Sequence, residues 1–382
     1  MNFEFSLWNY IDADRYTGKA ERLVEEWKLL GITTGCSFVT DGSEKQVKLN
    51  VKLINAAKSA GIKIFVYDKR VFFGNYCEKG AERYEADVKR ALADYTGLDN
   101  VTGYIISDEP DKTQLPKVAA ALDIFKKYTD KIGFVNFSWC DYRATEYGSR
   151  DNYVSELENS LKGKISVVAN DRYSCMHAAE YEQGFLRTGI DKFFADMNMF
   201  GKLARRLGVP QWTSLLSVGH WMYRTPSETD IRWQLSVSFA HGIEGVQWFF
   251  LNQHRHADDY YTYPVDIYGN RTPIFDSIER QTRIFKDKVV KPLEGYRFAG
   301  VKHICEAYGQ TPLLNDERAE VFIRSDHKKG GILSEFVKDG KKAYLLVNSD
   351  QHVPEVFFIY KNGKQAGHIW LDAGGTHIIF PD

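Results

Sequence analysis

The stretch VTGYIISDEP, residues 101–110, is an apolar run of strand length that ends in two carboxylates and a proline. So continuous a run, rich in β-branched and aromatic residues, is the pattern of a strand buried on both faces, as strands of parallel sheets are. The same unit recurs in both directions along the chain. Before it come FEFSLW at 3–8, ITTGCSFV from Ile32 and IKIFVYD from Ile62; after it come KIGFVNFS from Lys131, KISVVAND from Lys164, PQWTSLLSV from Pro210 and GVQWFFL from Gly245. Amphipathic stretches at helical spacing separate them. Leu23, Trp27 and Leu30 form one that stops at Gly31, Leu49, Leu53, Ile54 and Ala57 another that stops at Gly61, and a long helix is predicted around residues 274–290. Eight such β-then-α units in roughly 295 residues predict a (β/α)8 barrel. A doubly wound sheet shares the alternation, but it usually carries a Gly-rich phosphate turn after its first strand, and SLWNYIDAD has none.

After Tyr296 the pattern changes to short alternating runs: AEVFIRSD, GGILSEFVKDGKKAYLLVNSD, PEVFFIYKNGKQ and GTHIIF. Asp339-Gly340 and Asn362-Gly363 sit between such runs at the spacing of type I′ hairpins. The expected organisation is therefore a barrel over residues 1–297 and an antiparallel β-sandwich over residues 298–382.

Composition narrows the partners. Fifty Lys and Arg against 51 Asp and Glu leave a net charge of −1, so there is no basic field for nucleic acid or an anionic membrane, and neither is expected as a partner. Aromatic residues make up 14% of the chain; besides filling a core, Tyr and Trp suit the faces and hydroxyl rims of sugar rings. The five cysteines are scattered and never in CxxC spacing, which argues against a disulfide framework or a structural zinc and fits a reducing compartment. No run of about eighteen apolar residues occurs, and MNFEFSLWNYIDAD lacks a basic segment followed by an apolar one. A soluble protein is expected, cytoplasmic as the sequence stands or secreted where a signal peptide has been removed.

A barrel of this kind carries its chemistry at the C-terminal ends of its strands. Those ends supply Trp8 and Asn9, Thr40 and Asp41, Tyr67 and Asp68, Asp108 and Glu109, Asn136 and Trp139, Asp171 and Tyr173, His220 and Trp221, then Asn252 and Gln253. The rim is one of aromatics, carboxylates and amides, with no Lys or Cys placed as a nucleophile. At the fourth strand end, Glu109 pinned by Pro110 is well placed to protonate a glycosidic oxygen; the competing reading is a solvated Asp-Glu-Pro turn before a helix near Thr113.

GYIISDEP (103–110) resembles the strand-four Asn-Glu-Pro element of clan A glycoside hydrolases, with Ser107-Asp108 departing from it, and RTPSETDIRWQLSVSFAHGIEGVQWFF (224–250) is similar to the helix-to-strand-eight segment of family 42 β-galactosidases. The resemblance implies a retaining hydrolase with Glu109 as acid/base. It also implies a glutamate nucleophile at the end of the seventh strand, where this chain has LLSVGHW and no carboxylate, only Ser217 and His220 nearby. Two substitutes are available. Asp171, at the end of the sixth strand, is the leading one, set against a role as helix cap. Glu228 is the other, although Thr225-Pro226-Ser227-Glu228 has the form of a capping box with Thr225 as N-cap.

The reading is a glycosidase acting on an oligosaccharide or glycoside with Glu109 and Asp171 as catalytic residues and no cofactor. Trp8, Tyr67, Asp108, Asn136, Trp139, Tyr173, His220, Trp221 and Trp248 are the candidates for substrate binding. One rival is a carbohydrate-binding barrel without catalysis, suggested by the missing strand-seven carboxylate. The other is a metal-dependent hydrolase using His254, His256, Asp258 and Asp259 of NQHRHADD, weak because no third histidine stands at defined spacing.

Overall fold

The computed structural model describes residues 3–13, 18–175, 185–220, 223–253 and 259–381. Eight parallel strands close a barrel in chain order: β1 (Glu4–Leu7), β2 (Thr34–Cys36), β3 (Lys63–Val66), β4 (Val101–Asp108), β5 (Ile132–Phe137), β6 (Val168–Asp171), β7 (Gln211–Leu216) and β8 (Gly245–Phe249). The last strand returns to the first, with Glu4 opposite Gly245 and Leu7 opposite Trp248. Each strand falls inside a run picked from sequence and is shorter than it. The helices between them are α1 (Ala20–Leu29), α2 (Glu44–Ser59), α3 (Phe73–Asp94), α4 (Leu115–Lys126), α5 (Cys140–Tyr147), α6 (Arg150–Leu161), α7 (Phe185–Leu207) and α8 (Glu228–Ala240); α9 (Pro273–Phe285) follows β8 and runs on into a π turn, Lys286–Val290. No helix among the described residues is long and apolar enough to cross a membrane.

Strand alternation splits the barrel's apolar residues between two cores. Phe5, Leu7, Val135, Phe137 and Leu215 pack outward under the helices, while Trp8, Phe65, Ile105, Phe134 and Trp212 fill the interior. Trp248, expected among the substrate-binding residues, belongs to the outer set and is fully buried there. Its register settles the matter: it lies beside Leu7 and Leu215, both outward.

The C-terminal region forms two antiparallel sheets. One contains β9 (Arg297–Ile304), β11 (Gly331–Lys338), β12 (Lys341–Asn348) and β15 (Thr376–Ile379); the other contains β10 (Val321–Ser325), β13 (Glu355–Lys361) and β14 (Lys364–Leu371). Both predicted hairpin turns are present: Asp339 and Gly340 have φ of 49° and 77°, Asn362 and Gly363 of 48° and 76°, the left-handed pair a type I′ turn requires. The sheets share a core that includes Ile304, Val321, Ile323, Leu346 and Phe357. The opposite face of the larger sheet, with Ile332, Phe336, Leu345 and Val347, joins the barrel's outer core.

Helix α8 is the seat of that joint. Phe239 stacks on Phe336 at 5.3 Å, the Trp233 indole N–H donates to the Ser349 carbonyl at 2.8 Å, and Arg232 Nε donates to the Ala373 carbonyl at 2.8 Å. Gly374, at φ +67°, passes so close that a Cβ there would lie 2.7 Å from Trp233 Cα. A buried histidine pair completes the seam. The Tyr308 N–H donates to His303 Nδ1 (3.1 Å), so His303 carries its proton on Nε2 and donates it to His241 Nε2 (3.1 Å), and His241 Nδ1 donates to the Val237 carbonyl (2.9 Å). Burial keeps both rings neutral, pushing His241 down to about 4 and His303, with His241 beside it, to about 2.

Candidate active site

A cavity of about 590 Å³ opens at the C-terminal ends of the strands, within the size range of small-molecule sites. Its walls include Asp108 at the end of β4 and Glu109 just after it, Asn136 from β5, Trp139 and Tyr142 at the start of α5, Asp171 at the end of β6 with Arg172 and Tyr173 beyond it, and His220 after β7.

Consecutive strand residues normally point to opposite faces, yet Asp108 and Glu109 both reach this cavity. Two local features bring this about. The pairing of β4 with β5 slips between Ile105 and Ser107, so that Asp108 lies opposite inward-facing Asn136. Glu109 then adopts a left-handed φ of 45°, which costs a non-glycine residue about 1–3 kcal/mol. The surroundings hold it there: its N–H donates to the Asn136 carbonyl (2.9 Å), and Arg143 of α5 donates to its carbonyl (2.5 Å). The Asn136 side chain donates in turn to Asp108 Oδ1 at 3.0 Å.

Asp171, the last residue of β6, lines the same cavity. Removal from water, the Glu109 charge and the Asp108 charge together raise Asp171 well above the usual carboxylate range. Asp108 is pushed up to about 7 by removal from water and then by the Glu109 charge, against a smaller pull from the Asn136 amide. Asp171 Oδ1 and the Tyr173 hydroxyl are buried without a hydrogen-bond partner. Asp108 and Asp171 are thus short of donors and bind their protons more tightly than free carboxyls do.

Aromatic rings enclose it. Trp8, fixed by an indole N–H to Ser214 Oγ bond of 3.3 Å, stacks with Tyr10 at 5.8 Å and 9°. Trp139 stacks with Tyr142 and carries the Arg172 guanidinium over its ring at 4.6 Å. A two-residue ribbon, Gly219–His220 with Tyr260–Tyr261, lays the His220 ring on Tyr260 at 4.1 Å and 2°; burial lowers the pKa of His220.

Of the residues singled out from sequence, Trp8, Asp108, Glu109, Asn136, Trp139, Asp171, Tyr173 and His220 come together here. Tyr67 is not among the residues lining the cavity; its ring stacks on Phe72 at 5.9 Å, and after burial the Asp108 charge leads the causes that raise its pKa. Trp221, His254, His256 and Asp258 lie outside the described residues; among those described, no group of three or more His, Cys, Asp or Glu could hold a metal ion. Glu228 is elsewhere. Arg280 Nε and Gln281 Nε2 of α9 each donate to it at 2.6 Å, and the Arg280 bond leads the causes that lower its pKa. The capping box is real but two residues later than expected: Ser227 is the N-cap and Asp230 the third helical residue, with Arg224 paired to Asp230. Where the resemblance called for a glutamate at the end of β7, Leu215 and Leu216 are fully buried and Gln234 binds the Leu216 backbone.

Tyr10, Tyr142, Arg172, Tyr223, Phe249 and Tyr260 line the cavity and were missed from sequence. Tyr10 follows Trp8 at the strand period of two, Tyr142 follows Trp139 at helical spacing, and Phe249 is the inward neighbour of outward Trp248; each had a signal in the spacing. Tyr223 and Tyr260 depend on the ribbon and had none.

No protein-family model and no curated protein matches the sequence. Among solved structures, the β-galactosidase from Bacillus circulans sp. alkalophilus is similar with a TM-score of 0.63 at 9% identity, over 99% of this chain and 98% of that one. GH5_18 from Streptomyces cattleya in complex with GlcNAc is similar at 0.53 and 11% identity, over 75% and 80%. The β-galactosidase from the psychrophilic Marinomonas ef1 gives 0.53 at 10% identity over 74% of this chain, which spans 59% of that enzyme. At such identities the likeness is one of fold.

Proposed function

We propose that this chain is a glycoside hydrolase, with Glu109 as general acid and base and Asp171 as its partner carboxyl. The observation that carries the reading is that Asp108, Glu109 and Asp171 line one aromatic-walled cavity, where removal from water and the Glu109 charge raise Asp108 and Asp171. A glycosidic oxygen leaves only when a proton is delivered to it, and a strand-end carboxyl inside such a cavity is placed to deliver it. Trp8, Trp139 and Tyr173 offer ring faces to a sugar, and Asn136 and His220 offer polar edges. Such chemistry needs no cofactor. The similar barrels are β-galactosidases and a GlcNAc complex, which agrees with a sugar in this one.

The test is a panel of aryl glycosides and oligosaccharides assayed on wild type and on Glu109→Gln. Turnover by wild type is expected, falling about 10²–10⁴-fold in the variant for poor leaving groups. Full turnover of a natural glycoside by Glu109→Gln removes Glu109 from the mechanism. A carbohydrate-binding barrel without catalysis is the second reading, favoured by buried Leu216 where a nucleophile would stand; it predicts a rise in melting temperature with sugar and no turnover.

A further inference from the structure

Glu109 reaches the cavity through a backbone conformation that its surroundings have to impose. On extended backbone its side chain would lie on the face opposite that of Asp108, and Pro110 favours an extended residue before it. The left-handed φ of 45° is what turns the carboxyl toward the cavity. Two bonds bear on this residue. Its N–H donates to the Asn136 carbonyl at 2.9 Å and continues the pairing of β4 with β5, on the near side of the rotatable bonds of residue 109. Its carbonyl lies on the far side of those bonds, and there it accepts from Arg143 Nη2 at 2.5 Å. Returning residue 109 to extended backbone with its N–H in place would carry the carbonyl away from the guanidinium.

The guanidinium is itself fixed. Arg143 is buried, its Nη1 donates to Glu146 Oε1 at 2.5 Å, and it sits over the Tyr142 ring at 4.9 Å. The other oxygen of Glu146 accepts the Lys112 N–H at 2.9 Å, and the Glu146 carbonyl accepts from Lys112 Nζ at 3.2 Å. One ion pair of α5 therefore grips the segment 109–112 at both of its ends. The same helical turn carries Tyr142, whose ring stacks with Trp139 in the cavity wall.

Building on the glycosidase reading, we propose that Arg143 is a positioning residue for the general acid. It acts through the Glu109 carbonyl, holds the left-handed turn against the preference imposed by Pro110, and so keeps the Glu109 carboxyl aimed at the leaving oxygen. Glu146 anchors it. A bond from a charged donor is stronger than one between neutral groups, which suits a contact that has to hold an unfavoured turn. A displacement of about 1 Å at a reacting group costs about 10²-fold in rate, and relaxation of this turn would send the carboxyl toward the other face of the strand. The loss would fall on proton delivery and not on sugar binding.

Full-length wild type, Arg143→Met and Glu146→Gln are compared on aryl glycosides of one sugar that wild type hydrolyses, with phenols that span a range of acidity. Arg143→Met is expected to lose about 10²-fold in kcat and equally in kcat/KM for weakly acidic phenols. The loss should shrink as the phenol becomes more acidic, because such leaving groups need less help from a proton. Added guanidinium should restore part of it. Glu146→Gln, at a partly exposed side chain, should show the same trend with a smaller loss, so the series decides even if Arg143→Met folds poorly. A loss equal across all phenols, as a merely structural role gives by lowering the amount of folded enzyme, overturns the positioning role and leaves the glycosidase reading standing. So does no loss at all. Failure of wild type to hydrolyse any aryl glycoside or oligosaccharide overturns both.

Discussion

Glu355 in the sandwich and Asp108 at the barrel mouth are both carboxylates shielded from water, and their proton affinities move in opposite directions. Burial alone would raise Glu355, but the Ser325 hydroxyl (2.6 Å), the backbone N–H groups of Val356 (2.7 Å), Lys329 (3.0 Å) and His327 (3.2 Å), and the His327 ring (3.1 Å) all converge on it and hold it at about 2. Asp108 has one amide from Asn136 and a second acid beside it, and is pushed up to about 7. Donor supply decides the sign. A carboxylate surrounded by donors is a structural knot that stays ionised, whereas one starved of donors keeps its proton and is available to exchange it.

The largest test of this contrast is Asp171→Asn. Turnover should fall by about 10²-fold or more, while thermal melting at pH 8 shows no loss of stability, since the substitution removes an acid held against its preference. Wild-type turnover by the variant would take Asp171 out of the site. Deleting residues 298–382 would remove the knot while keeping every group at the mouth. The barrel alone is expected to aggregate or to melt well below the full chain, because the faces of α8 that meet Phe336 and Ser349 become wet; a soluble barrel of normal stability would show that the joint contributes little.

Glu355→Gln places an amide against a ring of N–H donors and should cost about 2–3 kcal/mol by denaturant unfolding, with activity intact under native conditions. The pH dependence separates the two regions further. Glu355 is lowered, so the stability it contributes is present above the unfolded carboxylate value and lost as pH falls through about 2. Asp108 is raised, so its contribution is present in acid and lost as pH rises through about 7. Asp108→Asn should therefore melt above wild type at pH 8 and level with it at pH 4; a constant offset at both would show that its proton is not the cause. Smallest of all, Glu228→Gln loses the bond from Arg280, which is expected to cost no more than about 1 kcal/mol and to leave turnover unchanged.

Much of this was legible in the sequence because it depends on periodicity and turn chemistry. All eight barrel strands and both Asp-Gly and Asn-Gly hairpins follow from local runs that no distant residue overrides. The capping box was displaced because Thr225 to Glu228 and Ser227 to Asp230 both have the required spacing; Arg224, paired with Asp230, accompanies the second. Trp248 has the residue type of a sugar platform, but the alternation through Gln247 and Phe249 turns it outward. That Glu109 and Asp171 share one cavity had no local signal, because they come from strands separated by β5 and only the curved sheet turns both strand ends to one mouth.

That closure also sets a clock. The first strand cannot meet its last neighbour until Gly245 has left the ribosome to pair with Glu4, and at ~5–20 residues per second the wait is roughly 10–50 s. Through that interval the nascent chain is an open arc whose first and last finished strands have unpaired edges. The outer face of α8 waits longer, until Ser349 and Ala373 have been synthesised to cover it. The interval in which this protein is most exposed to aggregation thus lasts until those partners emerge, and its length is governed by the speed of translation.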